Sequence, residues 1–204
     1  MQSASALQSQ TPPLDGMRIL VVEDNLHTAD LVKQTLVAAG AQEVALVADD
    51  AMGLAILADF RPDVLVTDRM APEADGVAMV ASVRRAALQP DAGVPNPAVP
   101  IVLLSGCSGQ GAVWQARNAG IDAYVVKPFS FNSLVKRVER AGKRKVAFIV
   151  SDDYVGPDRG AVAEARPADL AQGPALPTSD PSLAGLLKTL YDRIRELEER
   201  QKAS

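Results

Sequence analysis

From residue 17 onward, short apolar runs alternate with stretches whose apolar residues recur at helical spacing, and this alternation leaves few folds open. The runs fall at residues 18–22, 43–47, 64–67, 101–104 and 123–126, and the helical stretches at 26–39, 50–58, 76–88, 111–119 and 130–142. Runs such as ILVV, DVLV and IVLL carry no polar alternate. A strand built from them needs cover on both faces, which crossover helices give to a parallel sheet. Five such β-then-α units predict an α/β domain with a doubly wound, five-stranded parallel sheet. The breakers agree: Gly40 and Gly120 follow the first and fourth helices, and Arg61-Pro62 precedes the third strand. The Pro-rich stretch 90–100 reads as a longer surface loop.

Size and charge narrow the function. A chain of 204 residues that is 48% hydrophobic supports one ordinary core with appendages. With 21 basic against 25 acidic residues the formal charge is -4, so no overall positive field draws it to nucleic acid or an anionic membrane. Neither direct DNA binding nor membrane association is expected. Cys107 stands alone, which excludes an intrachain disulfide, and no Cys/His set could hold zinc. A cytoplasmic location fits. Residues 1–15 have no basic start and no long apolar run, so they read as a disordered leader rather than a signal peptide or anchor.

Past residue 142 the alternation stops. Residues 143–160 hold one more apolar run and the string SDDYVGPDRG, an extra strand or tail that either adds an edge strand or covers the basic end of the fifth helix. Residues 161–179 form an Ala/Pro-rich linker. In 180–204, Asp180-Pro181 is a good helix start, and Leu183, Leu187, Leu190, Ile194 and Leu197 follow a coiled-coil seam. This amphipathic helix barely reaches three heptads, so dimerisation through 183–197 and docking on the chain's own domain or on a partner both stay open.

In an open parallel sheet, ligands bind beyond the carboxyl ends of the strands. There the sequence places Glu23 and Asp24 after the first strand, Asp68 after the third, Ser105 after the fourth and Lys127 after the fifth. Three carboxylates brought together repel one another unless a cation lies among them, and Mg2+, with its preference for oxygen, is the natural one. Lys127 and the Ser105 hydroxyl add a positive charge and a hydrogen bond suited to a transferring phosphoryl group.

Four motifs in order, ILVVEDN, DVLVTDRMAPEADG, IVLLSG and AYVVKPF, make residues 16–142 resemble the receiver domain of bacterial two-component response regulators. The resemblance implies a flavodoxin-like sheet of order 2-1-3-4-5 followed by a C-terminal helical extension. It makes Asp68 the residue phosphorylated from a sensor histidine kinase or histidine phosphotransfer protein. Mg2+ would be held by Asp24, Asp68, the Met70 backbone carbonyl and, through a water, Glu23. Ser105 and Lys127 would bind the phosphoryl oxygens, and Tyr124 would swing inward with Ser105 after phosphorylation. The Lys127-Pro128 bond would be cis and aim the lysine into the site.

The chain departs from the family at Ala71, where methionine is common, and at Gly106, where alanine is usual. Met70 and Cys107 occupy the two positions that tune access of attacking water. Both orient water poorly, so slow autodephosphorylation is expected. Met70 also stands where aspartyl-phosphate hydrolases need a second acid, so no enzyme activity is expected beyond the chain's own aspartyl phosphorylation and dephosphorylation.

No helix-turn-helix pattern appears, so the expectation is a stand-alone response regulator signalling through a downstream protein partner or a homodimer. The dimer would form through residues 183–197 or the face of the fourth and fifth helices. The alternative is a phosphorylation-independent scaffold that binds through its C-terminal helix. Trp114 reads equally as an interface anchor on that face or as packing. The six basic residues of 136–145 read best as a solvated helix face, and His27 as a solvated loop residue.

Overall fold

Each central strand sends alternate residues to opposite faces of one sheet, and both sets are apolar, which is why polar alternation is missing from the sequence. The computed structural model describes residues 11–68, 77–89 and 92–158. Strands β1 (Arg18–Val22), β2 (Glu43–Val47), β3 (Val64–Asp68), β4 (Ile101–Ser105) and β5 (Ala123–Val126) pair in parallel in the order β2-β1-β3-β4-β5. On one face Ile19, Val21, Val66 and Leu104 pack with helices α1 (Leu26–Ala38) and α5 (Phe131–Lys143). On the other, Leu20, Leu65, Leu103 and Tyr124 pack with α2 (Asp50–Phe60), α3 (Ala78–Arg85) and α4 (Gln110–Ala119). The sheet is doubly wound, in the expected strand order.

Local chemistry fixes the helix ends. The side chains of Asn25, Asp49 and Ser130 accept backbone N–H bonds at the starts of α1, α2 and α5. Gly120 ends α4 at φ +101, a conformation that side chains with a Cβ resist. Beyond α3 the chain tightens into a 3-10 turn, Ala86–Leu88. This helix is therefore shorter than the expected 76–88, and residues 69–76 lie outside the described set.

Both ends of the domain reach further than the alternation suggested. The leader expected over 1–15 is corrected from residue 11: Leu14 is fully buried, its N–H donates to Ala39 O at 3.1 Å, and Asp15 bridges Ala41. A single leucine between a proline pair and Gly16 makes no periodic signal, yet it closes the end of the α1–α5 core. At the other end β6 (Phe148–Val150) and β7 (Val155–Pro157) pair antiparallel with each other. They form a separate hairpin and add no strand to the main sheet. The expected linker and C-terminal helix lie outside the described residues. Among the described residues no helix is long and apolar enough to cross a membrane.

Candidate functional site

Parallel register aligns the strand ends on one edge. Val22 pairs with Thr67, Asp68 with Leu104, and Ser105 with Val126, so the residues that follow β1, β3, β4 and β5 converge there. Glu23 leaves β1 buried, Asp68 ends β3 half-buried, and Asp24 is exposed in the β1–α1 connection. One carboxylate oxygen from each of the three lies within 4.8 Å of the others. The Lys127 ammonium closes the cluster at 2.7 Å from Glu23 Oε2 and 3.0 Å from Asp68 Oδ2.

The electrostatics follow from that crowding. Burial, and next the charge of Asp68, push the Glu23 carboxyl from 4.5 up to about 7, although Lys127 and the Asn25 N–H pull it down. Burial disfavours the Lys127 ammonium, but Asp68 and Glu23 together outweigh it and hold its pKa above the usual lysine value. Three carboxylates against one ammonium leave net negative charge to be met by a cation. The donor set is all oxygen, which suits a hard divalent ion such as Mg2+.

Ser105 is buried on the same edge. Its Oγ accepts from the Cys107 N–H at 3.1 Å, and its carbonyl accepts from the Lys127 N–H at 2.8 Å. Tyr124 lies inward, 1% exposed, with its hydroxyl donating to Cys107 O at 2.7 Å. The Cys107 backbone thus joins the two residues expected to move together. The ring already holds the inward position that was expected only after phosphorylation. The Lys127-Pro128 bond is cis.

Of the residues singled out in the sequence, Glu23, Asp24, Asp68 and Lys127 come together directly, and Ser105 and Tyr124 meet through Cys107. Met70 lies outside the described residues, and His27 is exposed near the start of α1. Sequence reasoning missed Asn25, whose N–H donates to Glu23 Oε1 at 3.2 Å while its side chain caps α1. Its signal was the Asn of the EDN triplet, a preferred cap just ahead of a helix. The backbone role of Cys107 left no signal in residue type.

Comparison with known proteins gives the same picture. The family model of the response regulator receiver domain matches residues 19–139. The transcriptional regulatory protein PrrA of Mycobacterium tuberculosis is 34% identical over 128 residues, 63% of this chain and 51% of that protein. The transcriptional regulatory protein CusR of Escherichia coli K12 is 30% identical over 141 residues, 68% of this chain and 56% of that protein. The chain spans about half the length of the curated relatives it matches. Among solved structures, the receiver domain of sensor histidine kinase PA1611 of Pseudomonas aeruginosa, described with a magnesium ion coordinated in its active site cleft, is 29% identical. Its TM-score is 0.53 over 63% of this chain and 99% of that one.

Proposed function

The chain belongs to the response regulator receiver domain family, and from that premise we propose that it takes a phosphoryl group onto Asp68 and passes the signal on through protein contacts. The observation that carries this is the Lys127 ammonium set between Glu23 and Asp68 inside an all-oxygen acidic cluster. An Asp68 carboxylate oxygen attacks the phosphorus of a phosphohistidine, the P–N bond breaks, and the imidazole leaves and takes up a proton. Lys127, within 3.0 Å of the acceptor carboxylate, faces the charge on the phosphoryl oxygens, and the Ser105 hydroxyl donates to one of them. Glu23, Asp24 and Asp68, with the Met70 carbonyl, would hold Mg2+, which supplies charge that offsets the incoming phosphoryl group.

The donor is a sensor histidine kinase or histidine phosphotransfer protein, and a reducing cytoplasm is the compartment this reading implies. A protein partner fits the exposed Trp114 on α4 and Phe131 at the start of α5. The chain catalyses nothing beyond its own phosphorylation and dephosphorylation. Regulators such as PrrA carry names for transcriptional control, but the activity of those whole proteins stays theirs.

Incubation with a phosphorylated histidine phosphotransfer protein and Mg2+ should label the wild type and leave Asp68→Asn unlabelled. Label retained by Asp68→Asn would sink the assignment. The inward Tyr124 favours one other reading, a scaffold held in a single state whatever the condition of Asp68. Elution volume and partner affinity unchanged by beryllofluoride with Mg2+ would select it.

A further inference from the structure

Arg84 is a fully buried arginine far from the acidic edge, and the function proposed above makes no use of it. From α3 its guanidinium donates to Gly120 O at 2.9 Å, Val99 O at 2.8 Å, Pro97 O at 2.5 Å and Asp122 Oδ2 at 3.0 Å. The same Asp122 oxygen accepts the N–H of Ile101, the first residue of β4, at 2.8 Å. One side chain thus ties α3, the loop before β4 and the turn before β5.

The C-terminal hairpin closes over this knot. The Arg84 guanidinium lies 5.5 Å from the centre of the Phe148 ring. A Cβ on Gly120 would stand 2.8 Å from Val155 O, and one on Gly156 would stand 3.0 Å from Gly120 Cα. Side chains crowd the same spot: the Gly156 Cβ would stand 2.6 Å from the Tyr154 hydroxyl, and the Gly120 Cβ 3.0 Å from Arg84 Cγ. The hairpin is itself held shut by the β6–β7 ladder and by Tyr154, whose hydroxyl donates to Pro157 O at 3.1 Å.

The two ends of the sheet are connected. Ser105 Oγ accepts from the Cys107 N–H, and the Cys107 carbonyl accepts from the Tyr124 hydroxyl, so a Ser105 hydroxyl that turns toward a phosphoryl oxygen bears on both bonds. Tyr124 lies two residues along the chain from Asp122. The path runs from Ser105 through Cys107, Tyr124, Asp122 and Arg84 to Phe148, by hydrogen bonds, ring contact and, between Tyr124 and Asp122, the backbone that leads from the turn into β5. The hairpin is also the only covalent route from the domain to residues 159–204.

We propose that the hairpin Phe148–Pro157, seated on Arg84 and Gly120, is a latch energetically coupled to the Ser105–Tyr124 switch. Occupation of Asp68 tightens the latch, and a loosened latch weakens occupation of Asp68. The proposal rests on the phosphoacceptor reading of Asp68. Coupling of this kind is reciprocal, so the same factor appears in both directions.

The test uses the full-length chain with Mg2+, hydrogen exchange and beryllofluoride titration. In the wild type, beryllofluoride should slow amide exchange across residues 147–158 by about fivefold or more. Gly156→Ala, whose Cβ collides with the Tyr154 ring that closes the hairpin and with Gly120 Cα beneath it, should weaken beryllofluoride binding by the same factor. Phe148→Ala, which removes the ring from Arg84 and leaves the main sheet untouched, should act in the same direction and serves alone if Gly156→Ala unfolds the domain. Protection around Asp68 with unchanged hairpin exchange, or with unaltered affinity in a variant whose hairpin exchanges fast, overturns the latch and leaves the phosphoacceptor reading standing. No protection around Asp68 in the wild type overturns that reading, and the latch with it.

Discussion

Binding of Mg2+ to the acidic edge should depend on pH with a midpoint near neutrality, because Glu23 must lose a proton to serve. Its carboxyl is raised from 4.5 to about 7, chiefly by burial and then by the charge of Asp68. The folded chain therefore holds a proton between those values that the unfolded chain has released. The resulting stability is full below about 4.5 and is lost as pH rises through about 7, a change of about 3 kcal/mol. A divalent cation competes with that proton. The fraction of Glu23 ionised grows about tenfold from pH 6 to pH 8, so the apparent Mg2+ affinity should grow by the same factor, about 1.4 kcal/mol. Mg2+ titrations followed by calorimetry in two buffers of different ionisation enthalpy measure both the affinity and the protons released. Release of close to one proton at about pH 6, falling toward none at about pH 8, is expected. Glu23→Gln should abolish the pH dependence. Equal affinity at both pH values with no proton release would refute the electrostatic account of the cluster.

Arg84→Met should lower the unfolding free energy by about 3–5 kcal/mol, because Asp122 and three backbone carbonyls lose a buried donor; urea melts with an unchanged slope would show it, and a loss under about 1 kcal/mol would contradict the anchoring role. Removal of residues 181–204 should convert any dimer to monomer in a solution mass measurement if the leucine seam associates, and a truncated chain that stays dimeric would assign dimerisation elsewhere. With Met70 and Cys107 both poor at orienting water, the phosphoryl group on the purified chain should persist for minutes or longer, and decay within seconds would contradict that account.

Most of the architecture was legible because it is repetitive. ILVV and IVLL announce strands covered on two faces, and the observed split of Ile19 and Val21 from Leu20 and Val22 is the same fact seen in space. The site was legible because strand ends in a parallel sheet converge, so Glu23, Asp24, Asp68 and Lys127 had to meet once the strands were placed. What escaped depended on single distant contacts. Leu14 is one leucine without periodicity, yet it is buried. Arg84 sits among the two adjacent arginines of α3, where a solvated tip is the ordinary expectation for a charge, and its burial is intelligible only with Asp122, Gly120 and the loop carbonyls in view. The hairpin carries too few residues per strand for alternation to register, so its pairing with itself rather than with the main sheet left no pattern to read. The inward Tyr124 is a rotamer and a hydrogen bond, which residue type does not encode.

The role of Asp68 is tested most directly by intact-mass and peptide-mapping measurements after incubation with acetyl phosphate and Mg2+. A single added phosphoryl group is expected, located on the peptide that contains Asp68 and lost on chelation of Mg2+ before the reaction or in Asp68→Asn. A phosphoryl group on any other residue of the wild type, or no gain in mass while the chain remains folded, would contradict it.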